Sequence, residues 1–236
     1  GGLRRNIVQC LDDFGIPLLL SHTVVAIHGR GRVDGVTIAR VDERRRPIPG
    51  TGRDIPCDTL LLSVGLIPEN ELSAQAGVAL SPVTGGPLVD DSLQTGVPGV
   101  FACGNVLHVH DLVDYVSAES ARAGRSAARF AAGGTLSAGP LVPVEAGTGV
   151  RYTVPVGIRP GGGESRYEIR FRVDGVYRNC AVAVLVDGRP ALRLRKKILV
   201  PGEMQTVILP ADRLEPVPER VTVRLEPAGG EGGKTQ

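Results

Sequence analysis

The stretch Gly85-Gly-Pro-Leu-Val-Asp-Asp-Ser-Leu-Gln-Thr-Gly-Val-Pro-Gly-Val-Phe-Ala-Cys-Gly-Asn105 decides how the rest of the chain is read. Leu88 and Val89 predict a short apolar strand that leads into a polar turn. Pro98-Gly99 makes a second turn, Val100, Phe101 and Ala102 predict another strand, and Gly104-Asn105 stands at its end. A helical pattern over residues 111–132 follows, with Asp111 and Asp114 near its start, where carboxylates favour the positive end of the dipole. Gly133-Gly134 closes it. Strand, glycine–polar dipeptide and helix are the parts with which an α/β sheet offers backbone N–H groups and one side chain to a nucleotide. Within the helix, Ser117, Ala121, Gly124, Ala128 and Ala131 recur at steps of four and three. That ridge of small side chains suits close packing on a sheet or a flat ligand.

Upstream, apolar residues from Leu3 to Phe14 fall at helical spacing, and Gly15 and Pro17 stop that helix. Strands are predicted over Leu18–Ile27 and Val33–Val41, and the turn Arg46-Pro-Ile-Pro-Gly50 follows them. Thr59–Val64 is a continuous apolar run, the pattern of a strand buried on both faces. It ends at Gly65, which allows close backbone approach, and Pro68 then fixes the direction of exit. From about residue 140 the period changes to two, in the runs Val150–Ile158, Tyr167–Val173, Val182–Val186 and Val221–Leu225. Turns at Pro160-Gly161, Asp174-Gly175, Asp187-Gly188 and Pro201-Gly202 punctuate them, which predicts an antiparallel β-sandwich. The basic run Arg193–Lys197 reads as the guard of an exposed strand edge.

With 236 residues and 42% hydrophobic content, the chain can build one large core or two small ones. A formal charge of +2 argues against the concentrated basic face that nucleic acid requires. No apolar run is long enough to span a bilayer, and the start, Gly-Gly-Leu-Arg-Arg-Asn, shows no signal peptide. Four scattered cysteines (Cys10, Cys57, Cys103 and Cys180) without a Cys-x-x-Cys read as reduced thiols of a cytoplasmic protein, with Cys10 and Cys57 in the core. The sole methionine is Met204, so the sequence reads as a piece of a longer protein.

Three features together resemble the C-terminal half of NAD(P)/FAD-dependent oxidoreductases of the pyridine nucleotide–disulfide oxidoreductase type. They are Cys57-Asp-Thr-Leu-Leu-Leu-Ser-Val-Gly-Leu-Ile-Pro68, Gln94-Thr-Gly-Val-Pro-Gly-Val-Phe-Ala-Cys-Gly-Asn105, and the small-residue helix. The fold implied is α/β, a partial two-dinucleotide-binding flavoprotein fold, followed by an all-β sandwich-like C-terminal domain. By this resemblance residues 1–66 are the second half of an NAD(P)-binding domain and 67–137 the C-terminal segment of an FAD-binding domain. Residues 138–228 are the β-sandwich, and 229–236 a flexible tail. The cofactors implied are FAD and NAD(P), although the Gly-x-Gly-x-x-Gly fingerprints are not in this chain. The activity implied is hydride transfer between a nicotinamide or small-molecule substrate and flavin. Within the family the chain is most similar to the branch found with glycerol-3-phosphate, amino-acid and opine dehydrogenases. A partner dehydrogenase subunit or a homo-oligomer is expected, and the chain alone is expected to be inactive.

The resemblance carries cofactor contacts onto Gly65, Pro68, Gly104, Asn105, Tyr115, Val116 and Ser117. Asn105 stands where the family has aspartate; an amide can still hydrogen-bond a ribityl hydroxyl but brings no charge. The helix start at Tyr115–Ser117 would face the flavin's pyrimidine edge, where a positive dipole end favours the reduced form. His108 and His110, with Asp111 or Asp114, have the look of metal ligands, but read more simply as polar loop histidines, and no metal is expected. Cys103 has no nearby cysteine partner and reads as a small structural residue beside a cofactor phosphate. Against the enzyme stands a second reading, a non-catalytic interaction or scaffold protein with a degenerate flavin fold, which Asn105 supports.

Overall fold

The computed structural model describes residues 4–134, 136 and 139–228, and the chain divides into two compact units between Gly65 and Leu66. The expected tail at 229–236 and the 137/138 domain boundary lie outside the described residues.

In the first unit, α1 (Arg4–Cys10) is followed by a 3-10 turn over Asp12–Phe14 that Gly15 ends in the left-handed conformation. Then come three antiparallel strands in the order β1 (His22–His28), β2 (Gly35–Arg40) and β3 (Arg53–Pro56). The central β2 holds the buried Val36, Ile38 and Ala39. The third strand is not the apolar run 59–64. It is Arg53-Asp-Ile-Pro56, pairing Val36 with Ile55 and Thr37 with Asp54. Residues 59–70 carry no strand, and Leu61, Val64 and Ile67 are exposed. A strand requires hydrogen-bonding neighbours for its backbone, and among the described residues this run has none. Cys10 is exposed and Cys57 half-buried, so neither belongs to a core.

The second unit starts with a short helix, α2 (Glu71–Gln75), and its long helix is α3 (Val113–Ala131). Between them the two expected strands shrink to isolated bridges, Val89 to Thr95 and Gln94 to Phe101. The tight turns fold the segment on itself, and Val89 also accepts the Val156 N–H with its carbonyl at 3.0 Å. Eight strands follow: β4 (Val142–Ala146), β5 (Val150–Val154), β6 (Gly157–Ile158), β7 (Arg166–Val173), β8 (Tyr177–Val186), β9 (Arg189–Leu199), β10 (Gln205–Pro210) and β11 (Val221–Pro227). They form a three-stranded sheet, β10-β7-β5, and a five-stranded sheet, β6-β4-β11-β8-β9. One core takes residues from both, among them Ile169, Phe171, Val182, Val184, Val207, Leu209 and Val223. Pairing is antiparallel except that β11 runs parallel to β4. That parallel pair corrects the all-antiparallel expectation, and it follows from a late strand inserting between β4 and β8. β9 is an edge strand, and the basic run Arg193–Lys197 lies on it.

A smaller core joins the Gly85–Asn105 segment to this β-structure. Val89, Leu93, Ala102 and Leu107 pack with Ala123 of α3 and with Val154 and Tyr152 of β5. Gly86 shows how tightly the segment is drawn in, since a Cβ there would collide with the carbonyl of Leu107. The small-residue ridge of α3 does not make this contact: Ser117, Ala121, Gly124, Ala128 and Ala131 are all exposed. The helix buries Glu119, Ala123 and Ser126 instead.

Phe171 is fully buried on the central strand of the three-stranded sheet. Phe171→Ala is expected to destabilise the second unit by about 3–5 kcal/mol, measurable as a lower urea midpoint. A change under about 1 kcal/mol would mean that the two sheets do not share a core.

Candidate functional site

The loop Gly104–Leu112 and the start of α3 are organised by one carboxylate. Gly104 adopts φ +73°, a left-handed conformation that glycine takes without strain, and begins a 3-10 turn over Gly104–Val106. The turn brings the backbone N–H of Gly104 to 2.7 Å from Glu119 Oε1. Two further imidazole donors converge on the same carboxylate: His108 Nε2 lies 3.0 Å from Oε2 and His110 Nε2 3.0 Å from Oε1. Arg170 completes the set from β7, its Nη1 donating to Oε2 at 3.1 Å. The side chains of Glu119 and His108 are fully buried and Arg170 nearly so.

The tautomers follow from these partners. His110 Nδ1 lies 3.4 Å from Arg170 Nη1, so it accepts, and the proton of His110 sits on Nε2 facing Glu119. His108 likewise donates from Nε2 and leaves Nδ1 buried without a partner. Burial by itself pushes the Glu119 carboxyl up, but the bonds from His108, His110 and the Gly104 amide outweigh it and hold the group far below its ordinary range. Burial pushes His108 down, and Glu119 only partly opposes this. A buried anion is thus matched by one guanidinium cation, two imidazole N–H groups and a backbone N–H.

His108, His110 and Glu119 are also the described residues that could hold a metal ion, their ligand atoms lying within 4.8 Å of one another. A metal on both Nε2 atoms would move each proton to Nδ1. That would set an N–H of His110 against the Arg170 cation and leave a buried N–H of His108 without an acceptor. The donor set suits the proton network better. The two histidines are nevertheless not the polar loop residues expected from sequence, because both side chains are buried.

The other contacts to β7 are also ionic. Asp111, just outside α3, accepts from Arg172 Nη2 at 2.6 Å and from the Met204 N–H at 2.6 Å. Arg172 also donates to the Val109 carbonyl. On the opposite side, Asn70 donates to the carbonyls of Gly85 and Val106 at 2.9 Å each, tying the entry of the second unit to the Gly104 turn.

The residues singled out by sequence divide accordingly. Gly104, Asn105, Tyr115, Val116 and Ser117 share one end of the second unit. Asn105 Oδ1 accepts the N–H of His110, while the residue itself is exposed. Tyr115 and Ser117 are exposed, Val116 half-buried. The first turn of α3 has no side-chain cap, and Leu112 and Val113 beside it are exposed. Gly65 closes the first unit with φ +99°, and Pro68 lies in the irregular stretch that opens the second. Cys103 is half-buried.

Glu119, Arg170 and Asn70 escaped the sequence reading. Glu119 left a trace: it is the one acidic residue of α3 beyond the first turn, one and two turns before the small Ala123 and Ser126. Nothing local marks Arg170 as a partner of Glu119, which lies 51 residues away.

Glu119→Gln is expected to lower stability by about 3–5 kcal/mol at neutral pH, because it takes the charged acceptor away from four buried donors and leaves Arg170 with Glu168 alone. The Glu119 carboxyl is depressed in the folded state, so its contribution is complete above its ordinary value of 4.5 and is lost as pH falls toward the folded value. Urea midpoints of wild type and variant should therefore converge below about pH 4. Parallel curves down to acid would remove Glu119 from this role.

A model of the family described as pyridine nucleotide-disulphide oxidoreductase matches residues 3–128. The chain is 32% identical over 96 residues to the ferredoxin–NAD(+) reductase component of the biphenyl dioxygenase system of Paraburkholderia xenovorans, covering 41% of this chain and 20% of that one. It is 39% identical over 64 residues to a hydrogen cyanide synthase subunit of Pseudomonas aeruginosa, covering 27% and 14%. It is also 30% identical over 100 residues to a nitrite reductase [NAD(P)H] of Bacillus subtilis, covering 42% and 11%. The aligned part is thus no more than a fifth of the length of these relatives.

Proposed function

Because the chain belongs to the pyridine nucleotide–disulphide oxidoreductase family, we propose that it supplies the closing part of the flavin site in a hydride-transferring oxidoreductase. In this reading residues 1–66 complete an NAD(P)-binding domain, 67–137 close an FAD-binding domain, and 138–228 are an appended β-domain. The observation that carries it is the uncapped, exposed first turn of α3 beside exposed Asn105. The Tyr115 N–H already bonds the Leu112 carbonyl at 3.2 Å, so the earlier N–H groups of the turn and the Asn105 NH2 are the donors offered to an acceptor, and these fit the oxygen-rich edge of a flavin.

Asn105, Tyr115, Val116 and Ser117 would hold the cofactor, and Gly65 and Pro68 would direct the chain between the two nucleotide domains. The flavin, once bound, supplies a two-electron acceptor for hydride. The chain's own residues would orient it and favour negative charge at its pyrimidine edge through the α3 dipole. Gly104 serves indirectly, since its N–H is engaged by Glu119 and the glycine sets the loop. The exposed small-residue ridge of α3 and the exposed run at 61–67 both suit burial against a nucleotide-binding sheet. A partner redox protein or dehydrogenase subunit fits relatives that are named as components or subunits of larger systems. The matched relatives give no support to a glycerol-3-phosphate or opine substrate over others.

The non-catalytic scaffold remains the second reading, favoured by one observation. The Gly104 N–H and the Asn105 carbonyl oxygen are both bonded within the chain. Protein purified from the reading frame that carries this chain decides between them. The flavoprotein should show a flavin absorption band that NAD(P)H bleaches, and Asn105→Ala should reduce flavin occupancy. The chain of 236 residues alone should not retain FAD. Colourless protein from that frame would favour the scaffold and end the flavin proposal.

A further inference from the structure

Helix α3 meets the three-stranded sheet through polar contacts such as Glu119 with Arg170. It faces the outward row of β7, Arg166, Glu168 and Arg170, across a cleft of about 670 Å³. That volume lies in the range of small-molecule sites. Five guanidinium groups line it, from Arg122, Arg125 and Arg129 on α3 and from Arg166 and Arg170 on β7, against four carboxylates.

The carboxylates are all engaged. Glu119 holds the cluster described above, and Glu168 takes Arg170 Nε at 2.6 Å with Arg122 at 3.9 Å. Glu164 lies 4.0 Å from Arg129, and Asp91 accepts the Arg159 N–H at 2.8 Å. The cations are not. Among the described residues the side chains of Arg125 and Arg166 have no acceptor, and Arg122 keeps its Nε buried without a hydrogen-bond partner. A solvated charged face would account for Arg125 and Arg166, which are exposed. It does not account for Arg122, since a buried N–H without a partner is costly, and turning that guanidinium toward an acceptor in the cleft would relieve it.

We propose that this cleft binds a small polyanion, a molecule carrying two or more phosphate or carboxylate groups. Guanidinium forks bind both group types bidentately. Arg122, Arg125 and Arg166 are the residues assigned to it, and Arg129 and Arg170 stay with their carboxylates. The proposal does not rest on the flavin reading, and its test contains no flavin.

The test is isothermal titration of the 236-residue chain at low ionic strength with pyrophosphate and, separately, with tricarballylate. Saturable one-to-one binding of at least one of them is expected, and the preferred titrant names the group. Arg125→Ala with Arg166→Ala should weaken it about tenfold or more. Arg195→Ala with Lys197→Ala, on edge strand β9, should leave it unchanged. Circular dichroism checks that both pairs fold. Absence of saturable binding by folded protein, or equal weakening by both pairs, overturns the proposal.

Discussion

A carboxylate without water must find its partners in the protein, and Glu119 finds four. The Gly104 amide, two imidazoles and the Arg170 guanidinium close around it from a loop, the same helix's approach and a distant strand. Each bond to a charged acceptor is stronger than a neutral one, and the low dielectric raises the cost of losing any of them. The position of the Gly104 turn relative to α3 is therefore fixed by electrostatics more than by apolar contact. The small core of Val89, Leu93, Ala102, Leu107 and Ala123 then fills in behind it.

The same choice of ions over hydrocarbon runs along the whole α3–β7 boundary. Asp111 with Arg172, Glu119 with Arg170 and Glu168 with Arg122 repeat it. Long charged side chains hold the helix away from the sheet, and the cleft is the space they leave. Apolar residues of the β-structure turn the other way, into the core between its two sheets.

Much of this was legible where the signal is local. The long helix was expected over 111–132 and spans Val113–Ala131, because its acidic start, its periodicity and the closing Gly133 lie within its own sequence. The family was legible from the Cys57–Pro68 segment, the Gly104-Asn105 segment and the helix together. The period-two strands β7, β8 and β11 were legible from alternation and the edge strand β9 from its basic run, while β4 and β10 were not singled out. Polar β3 was hidden because pairing with β2, not apolar content, makes it a strand. The run 59–64 shows the converse, a strand-like sequence with no backbone partner among the described residues. At the site, glycine and histidine drew notice by type, but Glu119 and Arg170 acquire meaning only when the chain brings them together.

The Arg170–Glu119 bond has a consequence for modularity. A helix and a β-layer joined through a shared buried charge cannot be exchanged separately, because either half alone would expose a mismatched ion. The seam for grafting or dissection therefore falls between Gly65 and Leu66, where the compact units part. A cut near residue 138 would split an electrostatic lock and strand both of its halves.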